Sequence, residues 1–222
     1  MSNNPEKIEI VGGATEDGIV VGNAYDKYGS KNPIVQRIMS GFHQALSDLV
    51  RKAAPKSIHE VGCGEGYWTL RWAQEGIATR GCDFSRTAID LARKNAVDRG
   101  VNASLFDVKS IYDLRSGTDN ADLIVCCEVL EHLEFPEKAL QALQGVVDGH
   151  LILSVPREPL WRALNMVRGK YLGALGNTPG HIQHWSSAGF VTLVSKYFDV
   201  IEVKQPLPWV MLLCRPRASQ SR

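Results

Sequence analysis

One stretch, Ser57–Leu70, limits what this chain can become more than any other. It reads Ser-Ile-His-Glu-Val-Gly-Cys-Gly-Glu-Gly-Tyr-Trp-Thr-Leu. Ser57–Val61 has the short, partly β-branched character of a strand that ends in glycine. From Tyr67 the apolar positions Leu70, Trp72 and Ala73 recur at helical spacing. Gly62, Gly64 and Gly66 therefore predict a tight bend between a strand end and a helix start. Glycine there admits positive φ and lets a ligand approach the backbone. The spacing is Gly-x-Gly-x-Gly, not the Gly-x-Gly-x-x-Gly of pyrophosphate-binding nicotinamide sites. Glu60 stands two residues before it, and an acid aimed at such a cleft favours a cationic group over phosphates. The expected ligand carries an amine and a ribose.

The rest of the chain repeats the strand-then-helix pattern. Strands are predicted at Ile77–Asp83, Ala103–Asp107, Asp122–Cys127 and His150–Val155, with helices at Arg86–Arg99 and Pro136–Val146. Asp122–Cys127 is almost continuously apolar, as a strand buried on both faces should be. Such alternation predicts an α/β fold, a doubly wound, mostly parallel sheet with ligands beyond the carboxyl ends of the strands. Ahead of it, Pro33 opens a helix through Arg51 with Ile34, Ile38, Phe42, Ala45, Leu46 and Leu49 on one face. The runs Ile8–Val11 and Ile19–Val21 suggest a small hairpin before that helix. Val200–Lys204 and Val210–Cys214 suggest a closing antiparallel pair. The expected organisation is a hairpin and cap helix over 1–54, a binding domain over 55–215 and a tail over 216–222.

Glu60-Val61-Gly62-Cys63-Gly64-Glu65-Gly66 resembles the first motif of the class I S-adenosylmethionine-dependent methyltransferases, and the likeness continues in order over roughly 55–215. The resemblance implies a seven-stranded Rossmann-like sheet, S-adenosyl-L-methionine as cofactor, and site residues at matching positions. Glu60, Gly62, Cys63, Gly64 and Gly66 would face the amino-acid end. Asp83, at the end of the second predicted strand and 17 residues after Gly66, would hold the ribose hydroxyls, with Phe84 on the adenine. Asp107 and Val108 match the adenine-edge position. Glu128 opens the loop under the methionine part, and Tyr28 stands where an aromatic precedes the cap helix.

Glu128, Glu131 and His132 form Glu-x-x-Glu-His, a pattern similar to ubiquinone-pathway O-methyltransferases and small-RNA 2′-O-methyltransferases. In those groups a later histidine completes a site for a divalent ion, and His181, then His184, match it by position. Such an ion could acidify an acceptor hydroxyl, but the motif also occurs where no metal is used, and a metal is not the favoured expectation. His132, His181 and His184 are the candidate bases, because imidazole titrates near neutrality.

Residues 156–180 exceed a minimal domain, and the ubiquinone-pathway enzymes carry an insertion at the same place. Leu160, Trp161, Leu164, Val167, Tyr171 and Leu172 suit one helix face, and Pro159–Phe198 contains no acid but carries Arg162, Arg168, Lys170 and Lys196. Packed helix, lid over an anionic acceptor and peripheral membrane contact are the three readings.

A net charge of +1 over 222 residues, without a basic tail, argues against a nucleic-acid partner. Five cysteines, with no Cys-x-x-Cys, and an N-terminus without a signal-like apolar core suggest reduced thiols and a cytoplasmic protein. The expected activity is methyl transfer to a small-molecule acceptor, a hydroxyl oxygen ahead of nitrogen or carbon. An RNA or protein acceptor, or a non-catalytic cofactor-binding module, are the alternatives. The oligomeric state is not expressed in the sequence.

Overall fold

A computed structural model describes residues 8–13, 15–16, 19–22, 29–167, 169 and 171–217. In chain order it contains β1 (Thr15–Glu16), β2 (Ile19–Val20), α1 (Pro33–Ala53), β3 (Ser57–Val61), α2 (Tyr67–Gln74), β4 (Ala78–Asp83) and α3 (Arg86–Val97). Then come β5 (Phe106–Val108), β6 (Ala121–Cys127), α4 (Pro136–Gln144), β7 (Val147–Pro156) and α5 (Leu160–Val167). The chain closes with α6 (Ser187–Val194), β8 (Phe198–Lys204) and β9 (Trp209–Pro216).

Seven strands form one sheet in the order β5-β4-β3-β6-β7-β9-β8. The first five in that order run parallel, and β9 is antiparallel to both neighbours. The strand order reverses between β3 and β6, so the loops that follow these two strands diverge and open a crevice. Side-chain alternation builds a core on each face. In β6, Leu123 and Val125 face the layer of α1 and α2, with Phe42, Leu46, Leu49, Trp68 and Trp72. Ile124 and Cys126 face the layer of α4 and α6, with Leu140, Leu143, Phe190 and Val194. This double burial explains the apolar run over residues 123–127 within β6. Among the described residues no helix is long and apolar enough to cross a membrane.

Local chemistry sets the helix starts. Asn32 accepts a hydrogen bond from the Ile34 amide at 2.9 Å, with Pro33 at the first helical position. Ser85 accepts from the Ala88 amide at 3.0 Å and begins α3. Several expectations need correction. Ile34 is solvent-exposed, so the buried face of α1 begins at Met39. Residues 103–105 form a 3-10 turn, leaving only three residues in β5, the sheet's edge strand. The hairpin pairs Thr15–Glu16 with Ile19–Val20, and Ile8–Val11 is not a strand. That segment lies along α3 instead: the Glu9 amide bonds Asn95 Oδ1 at 2.9 Å, and Asn95 Nδ2 returns a bond to the Glu9 carbonyl. The insertion helix stops at Val167, before Gly169 at φ +68°, and does not reach Leu172.

Candidate active site

The glycine loop is tied down from below. The amides of Gly62 and Cys63 both donate to the Cys82 carbonyl, at 2.7 and 3.0 Å. Gly62, Gly64 and Gly66 all have positive φ, at +78°, +51° and +84°. Their surroundings differ. A Cβ at position 62 would lie 2.2 Å from Val129, and one at 66 would lie 2.6 Å from the Phe106 ring. A Cβ at 64 would meet nothing within 4 Å. Gly62 and Gly66 are thus required by packing, whereas Gly64 leaves an open surface at the crevice.

Glu60 is buried, and its Oε2 accepts from the Thr69 amide at 2.9 Å and the Thr69 hydroxyl at 2.5 Å. Its carboxylate anchors the first turn of α2, a structural task that the motif alone did not disclose. Asp83 stands next to the open position. Its Oδ2 accepts from the Gly64 amide at 3.0 Å and its Oδ1 from the Ser85 amide at 2.9 Å. Burial pushes its carboxyl upward, against the two amide bonds that favour the charged form. Each oxygen has accepting capacity left for a further donor. Phe84, beside it, is exposed, as is Asp107, while Val108 is half-buried. Asp107 lines a cavity of about 290 Å3 with His59, Arg80, Lys109 and Asp119. The Cys63 thiol is buried, which pushes its pKa well up and keeps it protonated. Tyr28 lies outside the described residues.

Two acids that the sequence reading did not single out join the N-terminal segment to this region. Glu16 accepts from the Ser85 hydroxyl at 2.6 Å and lies 3.3 and 3.4 Å from the Arg86 and Thr87 amides. It therefore sits on the positive end of α3, one turn from Asp83. Glu65, almost fully buried, accepts from the Val11 amide at 3.0 Å. No local pattern announces partners 54 and 69 residues away.

The loop after β6 forms the other wall. Glu128 adopts a left-handed backbone, φ +60°. Its Oε1 accepts from the Ser154 hydroxyl at 3.1 Å and its Oε2 from the Trp209 indole at 2.5 Å. Glu131, His132 and His181 converge, each offering a ligand atom within 4.8 Å of the others. The segment after the insertion is zipped onto this loop, because the amides of Ile182 and Gln183 both donate to the Glu131 carbonyl, at 2.9 and 3.0 Å. His132 Nδ1 lies 2.9 Å from the Gly180 carbonyl oxygen, so Nδ1 carries a proton and, in the neutral ring, Nε2 is the basic nitrogen. His181 is buried, packs edge-on to His132 and stacks on Trp161 at 5.8 Å. Burial, then the charges of His132 and His184, pushes its pKa down to about 3. It is therefore a neutral imidazole at ordinary pH.

The structure thus brings together Glu131, His132 and His181. It does not bring in Glu128, held by Ser154 and Trp209, or His184, exposed and bonded through Nε2 to Asn177 Oδ1 at 2.8 Å. One carboxyl group and two imidazoles are donors suited to a first-row divalent cation. Trp161 and Trp209, at 5.8 Å from each other, extend an aromatic wall from this cluster.

A family model described as a methyltransferase domain matches residues 34–202. The chain is similar to the ubiquinone biosynthesis O-methyltransferase of Haemophilus ducreyi, 27% identical over 121 residues, covering 51% of each chain. The Pectobacterium atrosepticum protein of the same name is 32% identical over 103 residues, 45% of this chain and 42% of that one. The chain spans about half the length of the curated relatives it matches. The magnesium protoporphyrin IX methyltransferase of Synechocystis, solved with bound SAH, superimposes with a TM-score of 0.63 at 20% identity, over 85% of this chain and 90% of that one. That last likeness is one of fold.

Proposed function

The chain belongs to the methyltransferase-domain family, and from that premise we propose that it is an S-adenosylmethionine-dependent methyltransferase acting on a small-molecule hydroxyl. What supports this reading is that two features stand after the neighbouring strands β4, β3 and β6, where the strand order reverses. On one side are the open position at Gly64 and the accepting carboxylate of Asp83. On the other is His132 with its Nε2 lone pair, beside Glu131 and His181. The cofactor, when bound, supplies an electrophilic methyl group on sulfur. Asp83 would hold its ribose hydroxyls, and the glycine loop its amino-acid end.

His132 Nε2 takes the proton of the acceptor hydroxyl, while Nδ1 stays bonded to Gly180. The oxygen so deprotonated would be the nucleophile toward the methyl group that the bound cofactor would supply. Glu131 stabilises the imidazolium that results. His181 is too weak a base for this step and serves as a neutral partner that orients the acceptor. Trp161 and Trp209 shield the site from water. His184 stands outside the step.

A second reading is favoured by the convergence of Glu131, His132 and His181. These three would hold a divalent cation, which would supply Lewis acidity toward the same hydroxyl. The exposed Met166, Val167, Tyr171 and Leu175 make the insertion the surface where a lipophilic acceptor or a membrane would be met. Co-sedimentation with anionic vesicles checks the membrane contact.

The function is tested in two stages. Calorimetry with S-adenosylmethionine and S-adenosylhomocysteine measures cofactor binding, and no heat with either defeats the reading. Transfer of label from methyl-labelled cofactor to a panel of phenols, amines, RNA and protein then identifies the acceptor. Labelling of RNA or protein alone would replace the small-molecule assignment.

A further inference from the structure

Helix α5 is attached in an unusual way. Its one buried residue is polar, Asn165, while Met166 and Val167 are exposed. Asn165 Nδ2 donates to the Gly176 carbonyl at 2.9 Å and to the Thr178 hydroxyl at 3.1 Å. The same Thr178 oxygen accepts from the Trp161 indole at 2.8 Å. The Thr178 carbonyl accepts from the His181 amide at 3.1 Å. One residue therefore fixes a ring on α5 through its side chain and a ring in the following segment through its backbone. These rings, Trp161 and His181, are the pair that stack, at 5.8 Å and 29°. The packing is close, since a Cβ at Gly176 would lie 2.2 Å from the Arg162 carbonyl oxygen.

We infer that Thr178 and Asn165 are positioning residues that act through Trp161 to set the place of His181 beside His132. The inference rests on the reading of His181 as a site group, and it deepens that reading by naming what holds the imidazole. A buried polar latch suits the task. Its three hydrogen bonds have direction, so they fix the indole rotation, which apolar contacts of the same area would leave freer. Losing the shared acceptor leaves the part-buried Trp161 indole N–H and one Asn165 N–H without it, so removal should be felt beyond the lost contact.

The test compares Thr178→Val, Thr178→Ser and Asn165→Leu by NMR on histidine-labelled full-length protein, with His181→Ala to assign the ring signals. Stacking on an indole displaces the His181 carbon-bound protons upfield. In the valine and leucine variants these signals should move back toward the values of an unstacked imidazole, and the serine variant should restore the wild-type positions. S-adenosylhomocysteine affinity, measured by calorimetry, should be unchanged in all three, which shows that each variant is folded. His181 signals that stay in place in a folded Thr178→Val protein overturn the inference. Signals that move in the serine variant as far as in the valine one overturn it too. Neither readout involves methyl transfer, so an acceptor screen that fails would defeat the functional reading without touching this one.

Discussion

His132 Nδ1 and the Gly180 carbonyl oxygen, 48 residues apart in the chain, lie 2.9 Å from each other. This contact fixes the imidazole tautomer from outside the motif that contains it. The end of the insertion thus determines which ring nitrogen can work as a base.

Replacing His132 with alanine should lower the rate of methyl transfer by about 10²–10⁴-fold, the range for a lost general base. Cofactor affinity should be unchanged, because the proposed function puts His132 on the acceptor side. Steady-state kinetics paired with calorimetry checks both. A drop in cofactor affinity that matched the loss in rate would assign His132 to the wrong side of the crevice.

Gly64→Ala and Gly66→Ala should behave differently although they alter the same motif. Position 64 has room for a methyl group, so its cost to folding is the left-handed strain, about 1–2 kcal/mol. The added methyl occupies the crevice, so cofactor binding should be lost. Position 66 has none, since the new atom would strike the Phe106 ring, and this variant should fail to fold. Thermal melts and cofactor titration separate the two outcomes.

Asp83→Asn should weaken cofactor binding by about 10- to 100-fold, as expected where hydrogen bonds to a charged acceptor are lost at about 1.5–3 kcal/mol. It should also lower the melting temperature modestly, because an amide oxygen can accept from only one of Gly64 and Ser85 and leaves the other N–H facing a donor.

Stability should fall as pH drops from about 6.5 toward 4. His59 is buried with Nδ1 2.9 Å from the Asp119 carbonyl, and burial lowers its pKa to about 4. Between those pH values the unfolded chain binds the proton and the native chain does not, so acid favours unfolding. The contribution of this one group amounts to about 2 kcal/mol between pH 7 and pH 5. His59→Asn, which can keep a donor toward Asp119, should show a shallower decline in urea melts over that range. An equally steep decline in the variant would place the acid sensitivity elsewhere.

Zinc alone should raise the melting temperature of the wild-type protein if Glu131, His132 and His181 act as a donor set, because a ligand bound only by the native state stabilises it. His181→Ala should abolish that rise and His184→Ala should not. An equal rise in the His181 variant would remove the metal reading.

How much of this could be seen in the linear chain follows from the range over which each feature is encoded. The strand Ser57–Val61, the start of α1 at Asn32-Pro33 and the buried strand β6 were legible, because periodicity and caps act over a few residues. The strand–helix alternation likewise predicted the doubly wound sheet, and the glycine bend follows β3, beside which the strand order reverses. Position ranked His181 ahead of His184, but the physical reason for that choice was not legible. Both lie in the same short polar stretch, and only the pairing of Ile182 and Gln183 with the Glu131 carbonyl turns one inward and leaves the other in solvent. The same holds for Glu128, which the motif grouped with Glu131 but which Trp209, 81 residues later, draws aside. Glu16 reaches Ser85 across 69 residues, and Asn165 on α5 reaches the Gly176 carbonyl across 11. Local pattern sets backbone conformation, whereas the partner of a buried polar group is whatever distant segment the packed sheet delivers beside it, and that is decided only when the whole core closes.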